Sequence, residues 1–258
     1  MTRIAVIGLS DSLLELAVSL KDAGADVEGF DSHVPQYVPI PVSSSVEEAV
    51  EGADIVLVQS APHLALSTAE KISPVLKAGA IYADFSAGTP NLKQRIAQTV
   101  PADACADAAL VAEVGVEASG AAAKRLVSEL TALSLPAYFI SDRAGDVATR
   151  QLLRNLLAKS LTGALTDTLW AAESIGLQDF AWQEIQRQFE GMTAASAQEL
   201  INDAAHNFKR HQIEMQDVVE ILSQSGYEST MIAPIQFTHG RIMHGKKIPH
   251  AQPPAKKS

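Results

Sequence analysis

Strand and helix signals alternate from the N-terminus to Ile140, and that alternation constrains the fold more than any other feature of the chain. Arg3–Ile7 is a short apolar run that stops at Gly8. Asp11–Ala23 then sets Leu13, Leu16, Ala17 and Leu20 at helical spacing and closes at Gly24. Further strands are expected at Ala25–Phe30, Asp54–Gln59, Ala80–Phe85, Ala104–Val111 and Ala137–Ile140. Helices are expected between them at Val46–Val50 (capped by Ser44 or Ser45), His63–Leu76, Asn91–Thr99 and Lys124–Leu133. Parallel strands need crossover connections, and crossovers are right-handed, so the pattern predicts a doubly wound parallel sheet over residues 1–144.

The stretch from Gly145 to Gly176 follows, with no proline and one internal glycine. At ~1.5 Å per residue it predicts a helix of roughly 45 Å. Leu152, Leu153, Leu156, Leu157, Leu161, Leu165 and Leu169 spread round most of its circumference, which predicts burial on several sides. Gln151, Asn155 and Lys159 recur at i, i+4 and i+8 and so share one face, beside the small residues Ala158, Thr162 and Thr166. Helices at Phe180–Phe189, Ala194–Ala205 and Phe208–Gln224 complete an all-helical domain over 145–242, joined to the first through the long interdomain helix. The remainder, 243–258, is basic and proline-containing and is expected to be mobile. A long helix apolar on several sides, in a wholly helical half, calls for a second copy to cover it. The expected assembly is a homodimer through the helical domain.

Composition narrows the function. The net charge of −10 argues against nucleic acid or an anionic membrane as partner, since both require clustered cations. One cysteine, Cys105, allows no internal disulfide, and the seven histidines form no H-x-x-x-H pair, so no metal is expected. A strand that begins at once leaves no room for a signal peptide, and no apolar run approaches the ~18 residues of a membrane span. The expectation is a cytoplasmic protein with a small-molecule substrate.

In a sheet of this kind the turn after the first strand offers helix-N-terminal amides to a dinucleotide pyrophosphate. Here Gly8-Leu9-Ser10-Asp11-Ser12-Leu13 fills the G-x-G-x-x-G frame with Gly, Ser and Leu, and Asp11 adds a negative charge. Asp31, at the end of the second strand, stands where a carboxylate receives the adenine ribose hydroxyls and repels a 2′-phosphate. NAD is therefore favoured over NADP, with NADP still open. After the strand ending at Phe85, Ser86-Ala87-Gly88-Thr89 can form an anion nest at the ligand-binding edge of the sheet, or a plain turn with Thr89 capping the next helix before Pro90.

The whole chain resembles the β-hydroxyacid dehydrogenase superfamily, which includes 6-phosphogluconate and 3-hydroxyisobutyrate dehydrogenases and the imine reductases. The likeness is carried in order by IAVIGLSDSLLELAVSLKDAGADVEGFD, ADIVLVQSAPHLAL, YADFSAGTP and GDVATRQLLRNLLAKSL. The segments WQEIQRQFEGMT and HNFKRHQIEMQDVVEILSQSG resemble a branch with a phosphogluconate-dehydrogenase-like C-terminal domain. The resemblance implies a Rossmann-like domain, a helical dimerisation domain and an NAD(P)-dependent oxidoreductase acting on a small acid or imine-like substrate. It places the cofactor on Gly8, Leu9, Ser10, Asp31 and the Ser60-Ala61-Pro62 turn, and the substrate on Ser86, Ala87 and Gly88. One departure falls in the long helix: Asn155 matches the family asparagine, but Gln151 occupies the place of the lysine four residues before it. A carboxamide donates a hydrogen bond but supplies no titrating proton. Lys159, one turn on, leans back towards Asn155 and is the candidate replacement. The alternative is a non-catalytic relative, a ligand- or partner-binding dimer, for which Ser10, Leu13 and Gln151 are the supporting departures.

Overall fold

The structure is a computed structural model and describes residues 1–253. The last five residues of the segment expected to be mobile, 254–258, lie outside the described residues. The chain divides into two compact units, Met1–Asn155 and a second from Leu156 onward.

The first unit follows the alternation. Its elements begin with β1 (Arg3–Ile7), α1 (Asp11–Asp22), β2 (Asp26–Phe30), α2 (Val46–Val50) and β3 (Ile55–Val58). They continue with α3 (Ala65–Ile72), β4 (Ile81–Asp84), α4 (Pro90–Thr99), β5 (Cys105–Val111), β6 (Gly115–Ser119), α5 (Ala123–Ala132) and β7 (Ala137–Ser141). The sheet runs β2-β1-β3-β4-β5-β6-β7. Every neighbouring pair is parallel except β5 with β6, which is antiparallel. The doubly wound parallel sheet is as expected, with one antiparallel hairpin where β6, a strand not expected, pairs with β5. β6 escapes the apolar pattern because its sequence, GVEAS, carries Glu117 in mid-strand.

Both faces are covered, as a doubly wound sheet requires. Period-two alternation sends Ile4 and Val6 to one face, packed with Leu13, Leu16 and Leu20 of α1 and with Leu126 and Leu130 of α5. Ala5 and Ile7 point to the other face, packed with Val50, Ala69, Ile72 and Ile96. The chain leaves β1 outward to β2 and returns on the other side to β3, so the switch point lies at the carboxyl ends of β1 and β3. Gly8 ends β1 at φ +90°, and a Cβ there would stand 1.9 Å from the Gln59 carbonyl oxygen. Only glycine fits.

The long helix α6 spans Asp146–Ser174 without interruption, and the boundary between the units falls within it. The second unit continues with α7 (Gln178–Glu190), α8 (Ala194–Ser225) and α9 (Ile232–Met243). Thr193 and Ser196 form a reciprocal capping box at the start of α8. The two helices expected at 194–205 and 208–224 are one element with non-helical torsions at Asn207, where the sequence pattern places its break. α9 was not expected. Asp167 anchors this unit: it is buried and accepts from Tyr227 Oη (3.0 Å), Thr230 N (2.9 Å), Thr230 Oγ1 (3.0 Å) and Ser229 Oγ. After α9, Gln198 Nε2 donates to the His250 carbonyl at 2.9 Å and Gln252 N to Asn202 Oδ1 at 2.8 Å.

The expectation that the α6 leucines are buried is not met within one chain. Leu153, Leu156 and Leu157 are 61%, 63% and 73% exposed.

Candidate functional site

The carboxyl edge of the sheet in the first unit holds a cavity of about 440 Å³. Its wall gathers Ser12 and Gln59 from the switch point, Phe85–Thr89 after β4, and Asp107–Leu110 of β5. Lys93 of α4 and one face of the start of α6, including Gln151 and Asn155, complete it.

The loop after β4 is held from within. Ser86 N donates to Asp84 Oδ1 at 3.0 Å. Ser86 Oγ accepts from Ser60 N at 2.9 Å and lies 3.2 Å from Ser60 Oγ, which ties the turn after β3 to this loop. Thr89 Oγ1 accepts from Leu92 N at 3.3 Å and Pro90 takes the first helical position, so the loop is also the capped turn that its sequence allows. The Ser86 amide, a donor expected to hold a ligand carboxylate, is already spent on the chain's own Asp84.

Beneath the loop lies a charged cluster that sequence reasoning missed. Lys93 is 2% exposed. Its Nζ donates to Asp84 Oδ2 at 2.8 Å and to the Asp84 carbonyl at 3.1 Å, and stands 3.3 Å from Asp107 Oδ1. Asp107 Oδ1 has no well-aligned hydrogen bond. Asp107 Oδ2 accepts from Gly145 N (3.1 Å), Ala148 N (3.0 Å) and Ser119 Oγ (3.3 Å), and Ser119 Oγ accepts from Val147 N at 3.1 Å. Side chains of β5 and β6 therefore satisfy the orphan amides that open α6. Burial pushes the Asp107 carboxyl above its ordinary value, against the opposing pull of the Lys93 charge and the Ala148 amide. Burial, then Asp84 and Asp107, push the neighbouring Cys105 thiol up to about 12, which makes it an inert core residue.

α6 is thereby fixed where it meets the cavity. Gly145, at φ +99°, brings the chain so close to Pro90 that a Cβ would stand 2.9 Å from the Pro90 carbonyl oxygen. Gln151 and Asn155, one turn apart, both reach the cavity wall. Lys159 continues the same helical stripe into the second unit and is exposed. Thr162 and Thr166 return their hydroxyls to the helix carbonyls of Ala158 and Thr162.

At the switch point the turn is closed upon itself. Leu9 N donates to Asp31 Oδ2 at 2.7 Å, and Asp31 Oδ1 accepts from His33 N at 2.9 Å. The Leu9 side chain is buried over Gly29, and Leu13 is buried in the core. Ser10 Oγ donates to Gln59 Oε1 at 2.5 Å, and no side chain caps α1. Ala61 and Pro62 stand exposed in the turn after β3.

No family model matches the chain. It is 26% identical over 162 residues to an uncharacterised 28.5 kDa protein in the 7S RNA 5′ region of Methanothermus fervidus, a stretch that is 61% of this chain and 63% of that protein. The chain thus spans less than two thirds of that relative's length. Among solved structures it is similar to the conserved protein MTH1747, of unknown function and itself described as similar to 3-hydroxyacid dehydrogenases. There the TM-score is 0.59 at 20% identity, over 94% of this chain and 97% of that one. An imine reductase variant from Myxococcus stipitatus in complex with NAD+ superposes with a TM-score of 0.72 at 14% identity, over 95% of each chain. A reductive aminase from Aspergillus terreus, in complex with NADPH and ethyl levulinate, reaches 0.74 at 12% identity, over 96% and 95%. The chain has the fold these 3-hydroxyacid dehydrogenase-like proteins and imine reductases share, a Rossmann-like sheet followed by helices.

Proposed function

We propose that the chain is a nicotinamide-dependent oxidoreductase whose substrate occupies the cavity between the β4 loop and the start of α6. The observation that carries this reading is the convergence of Gln59, Ser86–Thr89, Gln151 and Asn155 on one cavity beside the switch point, where ligands of such sheets bind. Neighbours of the same fold in complex with NAD+ and NADPH support it.

The switch point fits a dinucleotide in three respects. Gly8 permits the tight turn that packs against the Gln59 carbonyl, α1 presents an N-terminus uncapped by any side chain, and Asp31 follows the end of β2. Asp31 would take the ribose hydroxyls while keeping its bond to Leu9 N, and its charge favours NAD. Ser60, Ala61 and Pro62 would border the nicotinamide. The cofactor would supply a hydride donor or acceptor.

The cavity wall favours an imine-like or carbonyl group over a carboxylate. Lys93 and Asp107 are its only charged side chains among the described residues, and Lys93 is already met by two carboxylates. A carboxylate would find no unspent cation there. Gln151 and Asn155 orient the reacting group through carboxamide hydrogen bonds; Lys159, the lysine expected to polarise it, is not among the residues that line the cavity.

Fluorescence titration with NADH and NADPH, followed by a panel of cyclic imines, keto acids and hydroxyacids, tests the reading. Saturable NADH binding and turnover of an imine or carbonyl substrate are expected. Absence of binding at millimolar concentration of either nucleotide overturns it. That result would favour a non-catalytic ligand-binding dimer, for which the neutral Gln151 and the Leu9 amide already bonded to Asp31 are the supporting observations.

A further inference from the structure

We propose that Lys93 is a positioning residue for this cavity, its buried ammonium clamping the β4 loop to the first turn of α6 through Asp84 and Asp107. The inference rests on reading the cavity as the substrate site. The connection is continuous. It runs from Ser86 N to Asp84 Oδ1 (3.0 Å), from Asp84 Oδ2 to Lys93 Nζ (2.8 Å) and from Nζ to Asp107 Oδ1 (3.3 Å). From Asp107 Oδ2 it passes to the amides of Gly145 (3.1 Å) and Ala148 (3.0 Å). One end is the loop that lines the cavity, and the other is the helix start that aims Gln151 and Asn155 into it.

Stability alone does not account for such a cluster. A lysine and two carboxyl groups taken into the interior lose their hydration, and well-packed apolar side chains in their place are often as stable or more so. The ions add direction. Nζ reaches an acceptor on the main chain of β4, one on its side chain and one on β5, so the loop and the helix cannot slide independently. The Asp107 contact is the least well aligned, and it is the step that joins the two halves.

Two variants separate positioning from packing. Lys93→Met removes the bridge and leaves two buried carboxylates facing each other. Lys93→Met with Asp84→Asn removes the bridge but restores the charge balance, and so guards against simple failure to fold. Amide hydrogen exchange reads each position without any ligand. In the double variant the amides of Ser86, Gly145 and Ala148 should exchange about tenfold faster or more, while Ile4–Ile7 and Ile55–Val58 keep nearly native protection, as expected for local opening. If NADH binds, its affinity should be unchanged while kcat falls. Native protection at Ser86, Gly145 and Ala148 in the double variant overturns the proposal. An equal rise at all amides overturns it as well, because that is the signature of packing alone. Failure of the wild-type NADH titration would instead count against the functional reading and would leave the exchange result standing.

Discussion

Asp167→Ala should destabilise the helical unit selectively. Asp167 is 5% exposed and accepts four hydrogen bonds, from Tyr227, Ser229 and both the amide and hydroxyl of Thr230. Hydrogen bonds to a charged group are each worth about 1.5–3 kcal/mol, but these share one acceptor, and the exposed Thr230 hydroxyl recovers water. The net cost should be about 3 kcal/mol, within the range for breaking one member of a buried polar network. With an m-value of about 1.5 kcal/mol per molar urea, the midpoint falls by roughly 2 M. Both tryptophans, Trp170 and Trp182, lie in this unit, so their fluorescence follows it in urea. A shift below about 0.5 M, less than 1 kcal/mol on the same slope, would refute the reasoning. The pH dependence has a definite sign. Burial alone would push the carboxyl up; the hydrogen bonds from Ser229, Thr230 and Tyr227 outweigh it and hold it below its ordinary value. A depressed carboxyl stabilises the fold above the unfolded pKa of about 3.9 and loses that contribution as pH falls through the lower folded value. The gap between the wild type and Asp167→Ala should therefore close as the pH drops below about 4.

Three further outcomes are expected. NADH should bind at least about tenfold more tightly than NADPH, a difference of roughly 1.4 kcal/mol, and Asp31→Ala should remove most of that preference; tighter binding of NADPH by the wild type would sink the assignment of Asp31. On any substrate found, Asn155→Ala should lower turnover about tenfold, and Lys159→Met should lower it by less, since Lys159 is exposed and does not line the cavity. Gln151→Leu should likewise cost less than Asn155→Ala, and full activity of Lys159→Met would show that the lysine has no role in polarising the reacting group. Sedimentation at micromolar concentration should give a dimer that Leu156→Ser with Leu157→Ser weakens, since both side chains are more than 60% exposed in one chain. A monomeric wild type would refute that.

Much of the first unit was legible because its signals are local. Apolar runs gave β1 to β5 nearly to the residue, and periodic leucines gave α1 and α5. The misses have physical causes. β6 reads poorly because Glu117, almost fully buried, is compensated from far along the chain by Arg154 at 2.7 Å and Arg150 at 3.6 Å. The α9 window carries Pro234 and Gly240, two residues of low helix propensity, and so gives a weak local signal. Pro234 falls in the first turn, where a helix has no hydrogen bond to lose.

The candidate site was legible only in part, and the reason lies in how it is assembled. Ser86–Gly88, Gln151 and Asn155 were found because each sits in a stretch with its own pattern. Lys93 was not. In PNLKQRIAQT it looks like any solvent-facing lysine, and nothing in that window announces that it is buried. Its burial depends on Asp84 and Asp107, brought alongside by two neighbouring strands. Asp107 in turn is recognisable as a helix cap only once Ala148, 41 residues later, has folded back onto it. A charge placed by local periodicity can be read from its neighbours in sequence. A charge placed by the meeting of two strands and a helix can be read only from the fold, and such a charge links the two walls of this cavity.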